Sequence, residues 1–339
     1  MAENLVICVG IDANKRFSSL IADTVPDLGL LGSTQCFPMY IYDEVRPEMI
    51  DVDISDENIA TWRENGCFVA KVKAGFCEEG DMLKDRRTGV VFSVFKSDLA
   101  GDYQIIGVSN YAHKKLVRRD AITDDGLAHF ADYYAAQVNS DTISKEDLFY
   151  YIYGLLHSED YRTRYADNLS KELPRIPRVK TYADFKHFSD AGRQLAHYHL
   201  NYESVEAYPV SFNTNFDQLT DADFYVTKMK FGKGKGDDRH DKTTVIYNHK
   251  ITLSGIPLEA YDYVVNGKAA LDWVMERQSV KTDKDSGIIN DANDWAIETM
   301  HNPRYPLELF QRVITVSLAT LKVVRGLPSL TLENMEQAA

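Results

Sequence analysis

Apolar positions in the first third of the chain come in short runs without helical spacing. Leu5-Val6-Ile7-Cys8-Val9 is a candidate buried strand, followed by a loop from Gly10 to Arg16. After a stretch punctuated by Pro26, Gly29 and Gly32, Gln35-Cys36-Phe37-Pro38-Met39-Tyr40-Ile41-Tyr42 resumes extended structure. Three further runs rich in β-branched and aromatic residues follow: Cys67 to Lys73, Gly89 to Phe95, and Tyr103 to Val108. Acidic, glycine-containing turns separate them, which predicts an antiparallel meander.

Near residue 121 the period changes from two to 3.6. Ile122, Leu127, Phe130, Ala131 and Tyr134 share a helical face, and Ser144 with Asp147 reads as a capping-box start. Behind it Leu148, Tyr151, Ile152, Leu155 and Leu156 form one apolar stripe. A second helix from about Ser158 must stop before Pro174, and Phe185, Phe188, Leu195 and Tyr198 mark a third. Strand character returns over residues 223–253, after which Pro257 suits the start of a helical region. The last helix runs from about Pro306 to Arg325, with Gly326 as its cap. The expected fold class is α+β: a β-rich lobe over 1–135, then a mixed, helix-rich lobe over 136–339.

Composition narrows the class. A hydrophobic fraction of 44% and an aromatic fraction of 11% belong to a packed globular chain. The apolar runs Leu5–Ile11 and Val313–Val324 are too short to span a bilayer, and the start lacks a basic signal-peptide region. Cys8, Cys36, Cys67 and Cys77 form no C-x-x-C pair, which fits small core residues in a reducing cytosol. The expectation is a soluble cytoplasmic protein with no membrane partner.

Charge complicates the picture. The net charge is −13, opposite to the footprint of a nucleic-acid binder. Yet residues 228–250 hold seven Lys/Arg against three Asp, 113–119 hold four cations and no acid, and 162–180 hold six cations against two acids. Any one of these stretches alone is ordinarily solvated surface charge. On the helix pair at 147–175 the bland reading is preferred, with Arg162, Arg164 and Arg175 paired to Glu159, Asp160, Asp167 and Glu172.

Chemistry-bearing motifs fail on inspection. Asn302-Pro303-Arg304-Tyr305 has Arg where an amino-methyltransferase loop has a second Pro, follows a helix, and has no glycine-rich loop upstream; it reads as a helix connector. Phe231-Gly232-Lys233-Gly234-Lys235-Gly236 lacks the G-K-[ST] ending of a P-loop and reads as a basic loop between strands. His197 and His199 point about 200° apart on a helix, so they cannot converge there on one ion with Glu203. No catalytic residue, cofactor or metal is expected.

Three stretches together resemble Type ISP restriction–modification enzymes, in the part that follows the methyltransferase domain. They are Phe17 to Leu28 with Gln35 to Tyr40; Asp147 to Ser158 continuing through Tyr161-Arg162 and Arg164-Tyr165 to Leu173-Pro174-Arg175-Ile176-Pro177; and Gly255-Ile256-Pro257 through Tyr261, Tyr263 and Asn266-Gly267 to Trp273 and Gln278. Residues 44–111 show no such match. The resemblance implies a target-recognition (specificity) domain that reads double-stranded DNA. It would work beside the methyltransferase and motor/nuclease domains of the same system and carry no active site of its own. From charge and loop character, phosphate contacts are expected at Lys228, Lys230, Lys233, Lys235, Arg239 and Lys242, with Lys114, Lys115, Arg118 and Arg119 as a second strip. Arg86, Arg87 and Asn14 are candidates for base readout. The alternative is a scaffold that docks on a methyltransferase or motor without reading bases, which the acidic balance favours. An acidic DNA mimic or a free-standing enzyme fits less well.

Overall fold

A computed structural model describes residues 4–10, 16–27, 29–45, 49–52, 59–62, 67–86, 91–101, 103–109, 115–138, 142–235 and 239–333. The chain is α+β, with small sheets early and helices prominent later. Its compact units do not divide near residue 135. One unit joins residues 1–39 to 122–339, and the other is the segment 40–121 between them. The reason lies in β1 (Val6–Gly10), which pairs antiparallel with β2 (Ser18–Ala22) and β3 (Thr34–Pro38). β1 is the middle strand and is covered on both faces. Ile7 and Val9 join the core built by the later helices, while Val6 and Cys8 pack with Leu31. A doubly covered strand reads as a continuous apolar run, so periodicity could not reveal that its partners lie beyond residue 122.

The inserted unit begins with β4 (Tyr40–Val45), and its last strand, β11 (Lys115–Asp120), pairs antiparallel with β4, so the segment enters and leaves through one ribbon. Between them lie β5 (Met49–Val52), β6 (Ile59–Trp62), β7 (Cys67–Lys73), β8 (Met82–Asp85), β9 (Val91–Ala100) and β10 (Tyr103–Ser109). They form one sheet in the order β5-β8-β9-β10-β7-β6. This is not the expected meander. β9 and β10 make a hairpin through Gly101 (φ +73°), but β7 pairs on the far side of β10, and β8 lies beyond β9 with β5 parallel to it. Apolar runs mark strands but do not name their neighbours. Cys77, Leu83, Val94, Ile106 and Val108 form the small core.

The large unit resumes with α1 (Asp124–Tyr134) and α2 (Lys145–His157), then α3 (Glu159–Arg164), α4 (Ala166–Leu169) and α5 (Tyr182–Leu200). Ser144 and Asp147 form the expected capping box: the hydroxyl accepts from Asp147 N at 3.0 Å, and the carboxylate accepts from Ser144 N at 3.1 Å. Ser144→Ala should therefore lower stability by about 1 kcal/mol, read from the midpoint of urea unfolding. α2 and α5 touch through Gly154 and Gly192. A Cβ at Gly154 would sit 2.1 Å from the Phe188 carbonyl oxygen, and one at Gly192 would sit 1.9 Å from that of Tyr150.

The segment after α4 carries Pro174 and Pro177 and runs extended. Three of its carbonyls are satisfied by tyrosines, and near its end Val179 makes an isolated antiparallel bridge to Leu332. Tyr161, Tyr151 and Tyr134 donate to the carbonyls of Arg175, Pro177 and Val179 at 2.7, 2.6 and 2.6 Å. The spacing of two matches extended backbone, in which alternate carbonyls point the same way. This explains why tyrosines and prolines recur together here. Tyr151→Phe should remove one buried bond at a cost of about 1–2 kcal/mol, measured by denaturant unfolding.

The remainder contains β12 (Ser211–Phe212), β13 (Lys230–Lys233), β14 (His240–Ile246) and β15 (Thr252–Ser254) in the order β12-β15-β14-β13. The helix expected at Pro257 is a single 3-10 turn, Leu258–Asp262. The chain must turn at once into the hairpin of β16 (Val264–Val265) and β17 (Lys268–Ala269), whose Asn266 and Gly267 both have positive φ. There follow α6 (Ala270–Arg277), the hairpin of β18 (Lys281–Thr282) and β19 (Ile289–Asn290), α7 (Ala292–Glu298) and α8 (Tyr305–Arg325). Pro306 lies in the first turn of α8, while Gly326 caps it at φ −84°, without the left-handed turn. Among the described residues no helix is long and apolar enough to cross a membrane.

Candidate nucleic-acid interface

β13 is the edge strand of its sheet. Residues of β14 crowd between the partners of Phe231 and Gly232, since Phe231 faces Val245 while Gly232 faces Asp241. The irregularity breaks strict alternation, and Lys230 and Lys233 are both exposed. Gly232 has no room for a side chain, because a Cβ there would lie 2.9 Å from that of Thr244. Lys228, Lys235 and Arg239 are exposed as well; Lys228 precedes β13, Lys235 follows it, and Arg239 lies just before β14. Residues 236–238, the tip of the expected basic loop, lie outside the described residues.

Lys242 differs from the others. It is partly buried, with its ammonium 5.0 Å from the Tyr261 ring centre and 5.4 Å from that of Phe231. Its charge is engaged by aromatic faces. Asp241 brings a negative charge into the strip. The hydroxyls of Thr243 and Thr244 hold its carboxyl below the usual range, with a smaller contribution from Lys235.

The second strip lies on the ribbon of the inserted unit. Arg118 places its guanidinium 4.3 Å from the Tyr40 ring centre, and Arg119 forms an ion pair with Asp43. Leu116 and Val117 beside them are exposed. Lys115 belongs to β11, and Arg86 is exposed just after β8. Lys114, Arg87 and Asn14 lie outside the described residues. Lys230 and Lys233 thus lie on the edge strand β13, while Arg118 and Arg119 lie on the other unit's ribbon.

The Arg/Tyr helix pair holds what charge counting missed. Arg175 pairs with Glu172 at 3.2 Å, but Arg162 turns inward and donates from Nε to the Leu156 carbonyl at 2.7 Å. Nearby, Tyr153 Oη lies 2.6 Å from His199 Nδ1, and His199 Nε2 lies 2.9 Å from the Thr320 hydroxyl. His157 Nδ1 is 2.9 Å from the Tyr153 carbonyl. A helical arginine three residues after an acid, as Arg162 is after Glu159, looks like a surface partner in sequence, and nothing in its spacing says that it faces a cavity. Burial, reinforced by the Arg162 charge, holds His199 down at about 4 and lowers His157 in the same direction. The unfolded chain, with histidine near 6.5, therefore binds more protons between pH 6.5 and 4. Stability should be full above pH 6.5 and should fall as the pH drops towards 4. Urea midpoints at pH 7 and 4.5 measure this, and His199→Gln should flatten the difference.

His197, two residues from His199, is exposed and lies 3.4 Å from the Asn201 side-chain nitrogen. Among the described residues no three His, Cys, Asp or Glu side chains are placed to hold a metal. Asn302-Pro303-Arg304-Tyr305 connects α7 to α8: Asn302 caps Arg304 N at 3.0 Å, and the Arg304 guanidinium lies 4.7 Å from the Phe224 ring centre.

An α+β chain with an inserted β unit and cation-bearing strand edges is the class of protein these features define. The chain belongs to the Type ISP C-terminal specificity domain family, whose model matches residues 1–309. Among solved structures it is similar to the ATP-dependent Type ISP restriction–modification enzyme LlaBIII bound to DNA, at 28% identity and a TM-score of 0.66, covering 98% of this chain and 16% of that one. It is also similar to a nuclease-deletion mutant of the Type ISP enzyme LlaGI in complex with a DNA substrate mimic (28%, TM-score 0.60, 98% and 18%). A third similar structure is the DrdV–DNA complex (26%, TM-score 0.62, 97% and 25%). The chain thus spans between a sixth and a quarter of the length of these proteins. No curated protein matches it.

Proposed function

We propose that this chain reads a specific sequence in double-stranded DNA as the non-catalytic specificity part of a cytoplasmic restriction–modification enzyme. In that role it sets the methyltransferase and motor/nuclease parts on their target site. Its family membership carries the reading, together with the DNA complexes in which its structural neighbours were solved. Lys228, Lys230, Lys233, Lys235 and Arg239 supply phosphate contacts from the β13 edge, while Lys242 steadies that edge through its aromatic contacts. Arg118 and Arg119, with Lys114 and Lys115, supply a second set, and Arg86, Arg87 and Asn14 are the candidates for base contact. Phosphate contacts fix register, and base-edge contacts discriminate by ~1–3 kcal/mol each.

The test is selection from a random duplex library, with sequencing of the bound fraction. One enriched motif is the expected result. The scaffold reading is favoured by the net charge of −13. Capture of a methyltransferase of the same system, with no motif enriched, would support it instead.

A further inference from the structure

Arg162, which the sequence assigned to an ion pair, turns inward instead. Arginine stays protonated, and it offers five N–H donors. One of them, on Nε, serves the Leu156 carbonyl at the C-terminus of α2. No carboxylate among the described residues lies within ion-pair distance, and the Phe17 ring has its centre 5.7 Å from the guanidinium carbon. A half-buried guanidinium with donors left over and no carboxylate at ion-pair distance would be stabilised by an anion beside it.

Space for one exists. Arg162 lines a half-open cavity of ≈ 630 Å³ within the large unit, in the range of small-molecule sites and far larger than one phosphate needs. Its walls divide by chemistry. Phe17 and Tyr263 give aromatic surface, Leu169, Leu321 and Val324 give apolar surface, and Glu159 and Asp262 supply carboxylates. Asp262 is already 3.5 Å from Arg325, and Arg16 adds a second guanidinium to the lining. The carboxylates suit the hydroxyl donors of a sugar and oppose a chain of several phosphates. We infer that this cavity binds a nucleoside monophosphate, with its phosphate on Arg162, its base against the aromatic and apolar walls, and its sugar hydroxyls on Glu159 or Asp262. The ligand is a free nucleotide, because a nucleotide inside a DNA strand is 2′-deoxy and has its 3′ oxygen esterified, leaving no sugar hydroxyl for Glu159 or Asp262.

Calorimetric titration of the full chain with AMP and, separately, with inorganic phosphate tests this. AMP should bind with a Kd on the order of 0.1–1 mM, and phosphate more weakly. Arg162→Gln should weaken AMP by about tenfold or more. Thr163→Glu should weaken it too, because Thr163 is exposed at the cavity and its replacement leaves the Leu156 bond intact. AMP binding should be unchanged under saturating duplex; displacement of AMP by duplex would contradict the placing of sugar hydroxyls on Glu159 or Asp262. Absence of binding by either probe, or equal affinity in both variants, would overturn the inference and leave Arg162 as a cap on α2. The site uses none of the residues proposed for DNA contact on the strand edges, so its failure would leave that reading intact.

Discussion

Gly192→Ala should cost about 3 kcal/mol, even though alanine is the better helix former by roughly 1 kcal/mol. The added carbon would lie 1.9 Å from the Tyr150 carbonyl oxygen and 3.0 Å from Gly154 N, both main-chain atoms of α2 that no rotamer can move aside. Relief requires α2 and α5 to separate. Their interface carries the stacked Tyr151–Phe185 pair, with ring centres 4.7 Å apart, and the Arg193–Asp147 ion pair at 2.9 Å. Separation loosens these contacts together. In a unit of this size the change corresponds to a drop in Tm of roughly 6–12 °C. Gly154→Ala should behave alike, because its Cβ meets the Phe188 carbonyl at 2.1 Å. A melting temperature within a degree or two of wild type in either variant would mean that the helices are not in this contact.

The paired replacement Lys233→Glu with Lys235→Glu should lower affinity for duplex DNA about a hundredfold at 0.1 M salt. Each phosphate contact contributes a factor of roughly eight at that concentration, so two give about sixtyfold, and reversing the charges adds repulsion. Both side chains are exposed, so the fold has no stake in them. The dependence of log K on log salt should flatten by about two units. Lys242→Met provides the contrast. Its ammonium is occupied by Tyr261 and Phe231, so the change should lower stability more than it alters the salt slope. Unchanged binding in the paired variant would remove the β13 edge from the interface.

Much of the helical part was legible because its signals are local. Ser144 and Asp147 cap α2 as their spacing implies, and the apolar stripe on α2 enters the core. The helix expected from Ser158 is instead two short ones, α3 and α4, the second ending at Leu169 ahead of Pro174, while α8 occupies the span its periodicity marks. What was not legible depends on long-range pairing. Nothing in Leu5 to Val9 shows that Ile7 meets residues more than a hundred positions later, and so the division into units was misplaced. The six-stranded order of the inserted unit was hidden for the same reason. At the candidate interface, charge counting found the exposed lysines of β13. It could not separate Lys242, which leans on aromatics, or Arg119, which is paired with Asp43, from cations turned to solvent. Arg162 was assigned to the wrong surface because a sequence records charge without direction.

The whole reading depends on an acidic chain still presenting enough cations on one edge to grip phosphates. The most direct measurement is the salt dependence of its binding to a fluorescent duplex by anisotropy. The five exposed cations Lys228, Lys230, Lys233, Lys235 and Arg239 predict a linear fall of log K against log salt with a slope of about −4.5. No association at 50 mM salt, or a slope near zero, would contradict it.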